Sequence, residues 1–409
     1  MKKVVVLAVV FAFAWAANNP IPGLGAGRPA SAEGYREASR SAEARTLQTR
    51  PKEITIDHYV PSRPANLQWG TFPIDATPVI MVKSGETVRI DTLSHQGATQ
   101  EEDPIAMLAT YGVRREEILQ DVLDFRASWP GRPRRGGHIL TGPVAIEDAM
   151  PGDAIEVQIL ELKTRVPWGM NGTSATGGPF RANYPGSRPG DKPLDIPDSA
   201  TRHIIRTGMA NGREVAFFAE KVQVPLTPFM GIMAVAPGAT TPGDIGVTPE
   251  GIQTSGPPGP YGGNLDFKAL TVGTSLYLPV FRAGALFYTG DPHGTQGDGE
   301  VSGNALEQSL TGVFRFVLHK GMKIDAPRVE TPTEYILLGI HEDLNRALKL
   351  AVREVVAYLV AEKGLTPADA LSLSSIAINF HVAEAVDGRQ VVAGKIPKGI
   401  FLTTAASTR

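Results

Sequence analysis

The chain of 409 residues is 42% hydrophobic and sets 42 acidic side chains against 40 basic ones. So even a balance leaves no electrostatic footprint for nucleic acid or an anionic membrane, and the expected partner is small or neutral. The lack of cysteine removes disulfides, thiol nucleophiles and Cys-ligated metals.

Lys2 and Lys3 lead into an apolar run over 4–17, shorter than the roughly 20 residues a membrane-spanning helix needs. Ala30-Ser31-Ala32 supplies the small residues before a cut at Glu33, so a secretory signal peptide is expected over 1–32. This predicts an exported protein, periplasmic or secreted, with no membrane segment after cleavage. A cut after Ala14-Trp15-Ala16 and an uncleaved membrane anchor are the alternatives. Residues 33–52 interleave Arg, Ser and Glu without apolar periodicity and read as a polar linker.

Folding is expected from residue 53. The stretches 53–59, 78–82 and 86–93 alternate or run apolar in the manner of strands, with Ser84-Gly85 as a turn. Ile105, Leu108 and Ala109, then Ile118, Val122 and Phe125, predict one or two short helices over 103–128. Strands return over 139–163 around a Pro151-Gly152-Asp153 turn, with Ile155, Val157, Ile159 and either Leu160 or Leu162 facing inward. The segment 167–199 is rich in Gly, Pro, Asn and Ser, and reads as a lid or as a disordered insertion. Strands are predicted over 214–224 and 229–235, a Gly/Pro loop over 238–263, and one buried strand over 276–288. Residues 333–364 carry apolar side chains at helical spacing and end at Gly364; a second helix should start with Thr366 as N-cap and Pro367 after it. Strands follow over 375–385 and 390–392. Strands first and helices later predict a mainly β (α+β) fold: a mainly-β catalytic region over 53–330 and a helix-containing C-terminal portion over 331–409 of the same domain.

Site chemistry concentrates in T-G-D-P-H-G-T-Q-G-D-G-E-V-S-G-N-A-L-E (289–307). Asp291, His293, Asp298 and Glu300 stand there among glycines that let the backbone turn sharply. A second group ends the early strand: Asp91 and His95 are four apart, hence on one face of a continuing strand, with Gln96 next. Among the scattered histidines, His138 beside Gly136-Gly137 draws attention. No G-x-S-x-G elbow anchors a serine mechanism. Imidazole with Asp/Glu oxygen is a ligand set for zinc and similar ions, which lower the pKa of bound water.

Several segments together resemble the acetamidase/formamidase family of amide hydrolases. They are S-G-E-T-V-R-I-D-T-L-S-H-Q-G (84–97), T-G-P-V-A-I-E-D-A-M-P-G-D-A-I-E-V-Q-I-L-E-L (141–162), P-F-M-G-I-M-A-V-A-P (228–237), 259–301 from G-P-Y-G-G-N-L-D-F to G-D-P-H-G-T-Q-G-D-G-E-V, E-T-P-T-E-Y-I (330–336) and I-P-K-G-I-F (396–401). The resemblance covers about residues 53–403, with the blocks in order. It implies a β-sandwich core with an added α/β C-terminal portion, a homo-oligomer (a dimer or a multiple of it), and hydrolysis of a small carboxamide to acid and ammonia. It also implies a divalent metal, zinc with calcium as a further candidate, near the Gly/Asp/His/Glu block. Carried onto this chain, it marks Asp291, His293, Asp298 and Glu300, then Asp91, His95 and Gln96, with Gly262, Gly263, Asn264 and Asp266 shaping the pocket floor. The expected mechanism has the ion held by His95, His293 and one or two of Asp91, Asp291 and Asp298, its water attacking the amide carbon. Glu300 would be base and then acid, Asn264 would donate to the oxyanion, and Gln96, Gly263 and Asp266 would contact substrate. Hydrolysis of a lactam or other carbonyl substrate, and a non-catalytic envelope binding protein, are the alternatives.

Overall fold

β-Branched and aromatic residues recur in short runs punctuated by Gly, Pro and Asp, and strands form wherever such a run finds a paired neighbour. The computed structural model describes residues 54–402 except 132–136, 175–177, 179–200, 220 and 239–251. The expected signal peptide and linker, and most of the loops expected over 167–199 and 238–263, lie outside the described residues.

The strands are β1 (His58–Val60), β2 (Leu67–Trp69), β3 (Thr71–Pro73), β4 (Ile80–Val82), β5 (Thr87–Asp91), β6 (Ile139–Ile146), β7 (Ala154–Thr164), β8 (Trp168–Thr173), β9 (Thr201–Ala210), β10 (Arg213–Phe218) and β11 (Val222–Pro225). They continue as β12 (Phe229–Val235), β13 (Ile252–Thr254), β14 (Gly262–Asn264), β15 (Ser275–Pro279), β16 (Phe287–His293), β17 (Leu310–His319), β18 (Arg328–Glu330), β19 (Glu334–His341), β20 (Asn379–Glu384) and β21 (Gln390–Pro397). The helices are α1 (Pro104–Ala109), α2 (Gln120–Ala127), α3 (Leu344–Lys363) and α4 (Pro367–Ala377).

Two sheets share the main core. One has nine strands in the order β1-β5-β17-β7-β15-β18-β19-β21-β20, and the other runs β14-β12-β16-β6-β2 with β4 beside β6. Ile155, Val157 and Ile159 of β7 and Phe314 and Phe316 of β17 meet Leu140 and Val144 of β6, Phe229 to Val235 of β12, and Phe287 and Tyr288 of β16. Phe287 joins the layers directly, its ring centroid 6.4 Å from that of Phe314 and 5.1 Å from that of Phe316. This is the expected sandwich, and Leu162, rather than Leu160, packs against its core.

The C-terminal portion continues the nine-stranded sheet. α3 starts with the Asp343 carboxylate accepting from the Arg346 amide at 2.9 Å and ends at Gly364 with φ 66°, a conformation glycine adopts without a Cβ penalty. Its buried stripe Ala347, Ala351, Val355, Leu359 lies on β19 and β21. Small residues allow the approach: a Cβ on Gly339 of β19 would stand 3.0 Å from the Ala351 Cα.

Several expectations change. The one strand expected over 214–224 is two, β10 and β11, paired antiparallel, and β13 and the start of β14 lie within the loop expected over 238–263. Residues 334–341 form β19, not the start of the long helix, because pairing with β18 and β21 claims an apolar run that reads equally as helix or strand. The single strand expected over 276–288 is two: β15 stops at Pro279, and the chain reverses through Gly284, Ala285 and Leu286, all at φ between 57° and 77°, into β16 of the other sheet. α4 runs to Ala377, so the strand expected from 375 starts at Asn379. The start of the loop expected over 167–199 is instead β8, which pairs antiparallel with β9 in a four-stranded sheet.

Candidate active site

β16 is buried along its whole length and carries Asp291 and His293 two residues apart, on one face. β12 lies antiparallel beside it, with Phe229 opposite His293 and Ile232 opposite Gly290. Opposite these side chains β12 has Gly231. A Cβ there would lie 2.6 Å from Asp291 Oδ2 and 2.9 Å from His293 Cε1, and it would also strike Asp266 Oδ1. The glycine leaves a cradle that any other residue would fill.

Asp266 reaches this cradle from the turn after β14. The amides of Leu265 and Asp266 both donate to the Gly231 carbonyl, and Asp266 takes φ 38° to turn inward. His95 enters from the turn after β5, its Nδ1 3.3 Å from Asp291 Oδ1 and 3.6 Å from Glu307 Oε2. His138, just ahead of β6, places Nε2 3.9 Å from the same Asp291 oxygen, with Nδ1 3.1 Å from Ser255 Oγ and its ring edge-on to His95. His293 Nε2 is 3.1 Å from Asp291 Oδ2 and 3.4 Å from Glu307 Oε1, and its Nδ1 is 3.8 Å from Asp266 Oδ1.

Glu300 completes the cluster from the glycine-rich loop. The amide of Gly299 donates to the Ala383 carbonyl and that of Ala385 to the Gly299 carbonyl, which ties the loop to the end of β20. At the end of β20 the Glu384 carboxylate accepts from the amides of Val386 and Asp387, and the turn so formed delivers Asp387 to the Asn264 amide and to Asp266 and Glu300.

Charge decides what this cluster can do. Burial would push the Asp291 carboxyl up, but His138 and His293 beside it and the close approach of the His95 ring hold it well below the usual carboxylate range. Burial alone would lower His293; the Glu307 and Asp291 carboxylates outweigh it and raise the imidazole well above its ordinary value. Asp266 and Glu300 go the other way. Burial raises both, as do like charges: Glu300, Asp291 and Asp387 around Asp266, and Asp387, Glu307 and Asp291 around Glu300, where they outweigh the opposing pull of His293.

The donors fit a metal ion. His95, His138 and Asp291; Asp266, Asp291 and His293; His293, Glu300 and Glu307; and Asp266, Glu300 and Asp387 each bring ligand atoms within 4.8 Å of one another. Both Asp266 oxygens, Asp291 Oδ1, Glu307 Oε2, His95 Nδ1 and both His293 nitrogens are buried without a hydrogen-bond partner. Acidic groups outnumber imidazoles, and buried polar atoms left in this state favour a cation.

Of the residues expected from sequence, His95, Asp291, His293, Glu300 and Asp266 come together here. Asn264 adjoins them, its Nδ2 donating to Asp387. Gln96 lies 3.2 Å from His95 Nε2 and donates to Asn304, and Gly263, at φ 86°, backs onto Tyr261 and Pro257. Asp91 and Asp298 stand apart. β5 ends at Asp91, so the same-face argument linking it to His95 fails; its carboxylate accepts from Tyr59 at 2.6 Å and Thr311 at 2.5 Å. Asp298 is exposed and pairs with Lys268 at 3.0 Å. Sequence reasoning gave no role to Glu307 or Asp387. Asp387 reads as an ordinary Asp-Gly turn, while Glu307, at the end of the glycine-rich stretch, was within reach of that signal.

Fold and site define a mainly-β protein in which two facing sheets enclose a buried imidazole–carboxylate cluster suited to a metal ion. The chain belongs to the Acetamidase/Formamidase family, whose model matches residues 132–245 and 245–403. It is 32% identical over 200 residues, 40% of this chain and 49% of the relative, to an acetamidase from Mycolicibacterium smegmatis. It is 26% identical over 256 residues, 56% of this chain and 58% of the relative, to a formamidase from Methylophilus methylotrophus. The chain thus spans about half the length of the curated relatives it matches. An acetamidase structure from Yersinia enterocolitica shares the fold at a TM-score of 0.66 and 23% identity, over 87% of this chain and 96% of that one.

Proposed function

We propose that this chain is an amidohydrolase that splits small linear carboxamides of the formamide and acetamide type into carboxylic acid and ammonia. The observation that carries this reading is the convergence of His95, His138 and His293 with Asp266, Asp291, Glu300, Glu307 and Asp387, in a chain whose relatives bear acetamidase and formamidase names.

Amide hydrolysis needs a nucleophile, a charge partner for the carbonyl oxygen and a proton for the departing nitrogen. Water is the nucleophile in this reading, since the chain has no cysteine and no serine elbow. Glu300 carries the proton: its carboxyl is pushed up by burial and by Asp387, Glu307 and Asp291, which suits a group that takes a proton from water and returns it to the leaving nitrogen. Asn264 offers the amide N–H not given to Asp387 to the carbonyl oxygen. Gln96, Gly263 and Asp266 border the cluster and position the amide.

A divalent ion would be held by His95, His138 and Asp291; imidazole nitrogen with carboxylate oxygen is a set that zinc accepts. When bound, it supplies Lewis-acid polarisation of the carbonyl and lowers the pKa of water toward neutrality. His293, charged between Asp291 and Glu307, keeps both carboxylates oriented. Asp91 and Asp298 take no ligand role here, their carboxylates being engaged elsewhere.

Export belongs to the same reading, supported by Lys2, Lys3, the apolar run and Ala30-Ser31-Ala32. So does a homo-oligomer, for which exposed Leu371 and Ile376 on α4 offer apolar contact surface. The test is ammonia release from formamide, acetamide, larger amides and a lactam before and after chelation, with metal content read on the same sample. Loss on chelation and restoration by one ion supports the reading; metal bound with every amide inert overturns it.

A further inference from the structure

α3 lies on β19 and β21, and beside it β15, β18 and β19 border a cavity of about 230 Å³. Its lining converges by register. Tyr277 of β15 lies opposite Arg328 of β18, Glu330 of β18 opposite Tyr335 of β19, and Arg328 opposite Leu337, so all five side chains share one face of the sheet. Tyr358 and Glu362, one turn apart on α3, close the other wall.

Most of the charge here is already answered. Glu330 accepts from Lys398 at 2.6 Å and from the Tyr277 hydroxyl at 3.3 Å, and His319 pairs with Glu156 at 2.9 Å. Glu362 is exposed at the rim. Arg328 is different. It is half-buried, and among the described residues its side chain has neither an ion pair nor a hydrogen bond; its guanidinium stands 6.0 Å over the Tyr358 ring. Glu354, whose half-buried carboxyl is pushed up by burial against the pull of Arg328 and Arg353, does not come within ion-pair distance of it.

We propose that this cavity is a second ligand site, distinct from the imidazole–carboxylate cluster, for a small arene carboxylate: the ring among Tyr277, Tyr335 and Tyr358, the carboxylate on Arg328. The planar guanidinium fork matches a carboxylate in two parallel hydrogen bonds. Aromatic rings pair in offset or edge-on contact; here Tyr335 and Tyr358 stand tilted at 40° with centroids 5.3 Å apart and Tyr277 and His319 at 42° and 5.7 Å, and Lys363 Nζ, 4.5 Å over the Tyr335 ring, adds a second positive group beside the tyrosines. Size limits the ligand. An apolar cavity of about 150 Å³ holds one benzene, so this space suits a single substituted ring.

The test is calorimetric titration of the full-length protein with benzoate, using acetate and benzylamine as controls. Saturable benzoate binding is expected, at least tenfold weaker in Arg328→Gln and in Tyr358→Leu and unchanged in Asp291→Asn, with acetate and benzylamine far weaker. Arg328→Lys, which keeps the charge without the fork, should fall between. Absence of saturable binding, loss in Asp291→Asn with Arg328→Gln unaffected, or benzylamine binding as tightly as benzoate would each overturn the assignment.

Discussion

The Nε2 of His293 lies 3.1 Å from a carboxylate oxygen of Asp291, two positions upstream on the same buried strand. Strand parity puts them on one face, and Gly231 of the neighbouring β12 leaves the space beside them open. Asp291 also serves His95 and His138, so it is the common partner of all three imidazoles. Asp291→Asn keeps the shape and removes the charge. The expected outcome is a loss of metal affinity and of ammonia release of roughly 100-fold or more, since weaker changes one shell further out already cost about 10–100-fold at metal sites. Metal content after dialysis and amidase assays check it.

Gly231→Ala fills the cradle without adding a polar group. Its Cβ would stand 2.6 Å from Asp291 Oδ2, so the carboxylates must move. We expect a protein that keeps its far-ultraviolet circular dichroism yet binds metal at least about tenfold more weakly, by the same reasoning on ligand geometry. Unchanged metal content in the folded variant would count against the cradle as an ion site.

Phe287 lies between Phe314 and Phe316 of the opposite sheet and is fully buried. Phe287→Ala should cost about 3–5 kcal/mol, the usual range for a buried aromatic truncated to alanine. Urea denaturation gives the number. A change below about 1 kcal/mol would mean that the two sheets do not pack there as described.

Glu117 ties the segment before α2 to β9. The Arg114 amide, the Arg114 guanidinium and Arg206 all donate to its carboxylate, and together they bring its pKa from an ordinary 4.5 to about 2. A carboxyl whose folded pKa is depressed binds fewer protons folded than unfolded, so it stabilises fully above about pH 4.5 and loses that contribution as pH falls toward 2. Glu117→Gln should therefore be less stable than the parent at neutral pH, with the gap closing between pH 4.5 and 2. Urea midpoints across that interval report the sign.

Local chemistry made much of this protein legible from the chain alone. Alternation in 154–159 marked the inward face of β7, Thr366-Pro367 and Gly364 marked helix ends, and the D-P-H and D-G-E blocks marked Asp291, His293 and Glu300, because caps, parity and glycine turns act over a few residues. Other features depended on partners far along the chain. Residues 334–341 became β19 because β18 and β21 were there to pair with, and Asp91 meets Thr311 and Tyr59 because β5 pairs with β17 on one side and β1 on the other. Glu307 and Asp387 joined His293 and Asp266 only when a backbone bridge to His293 and a turn beyond β20 brought them in. Sequence determines what each segment prefers within a few residues; which of those preferences meet in one buried cluster is decided by sheet pairing between residues far apart in the chain.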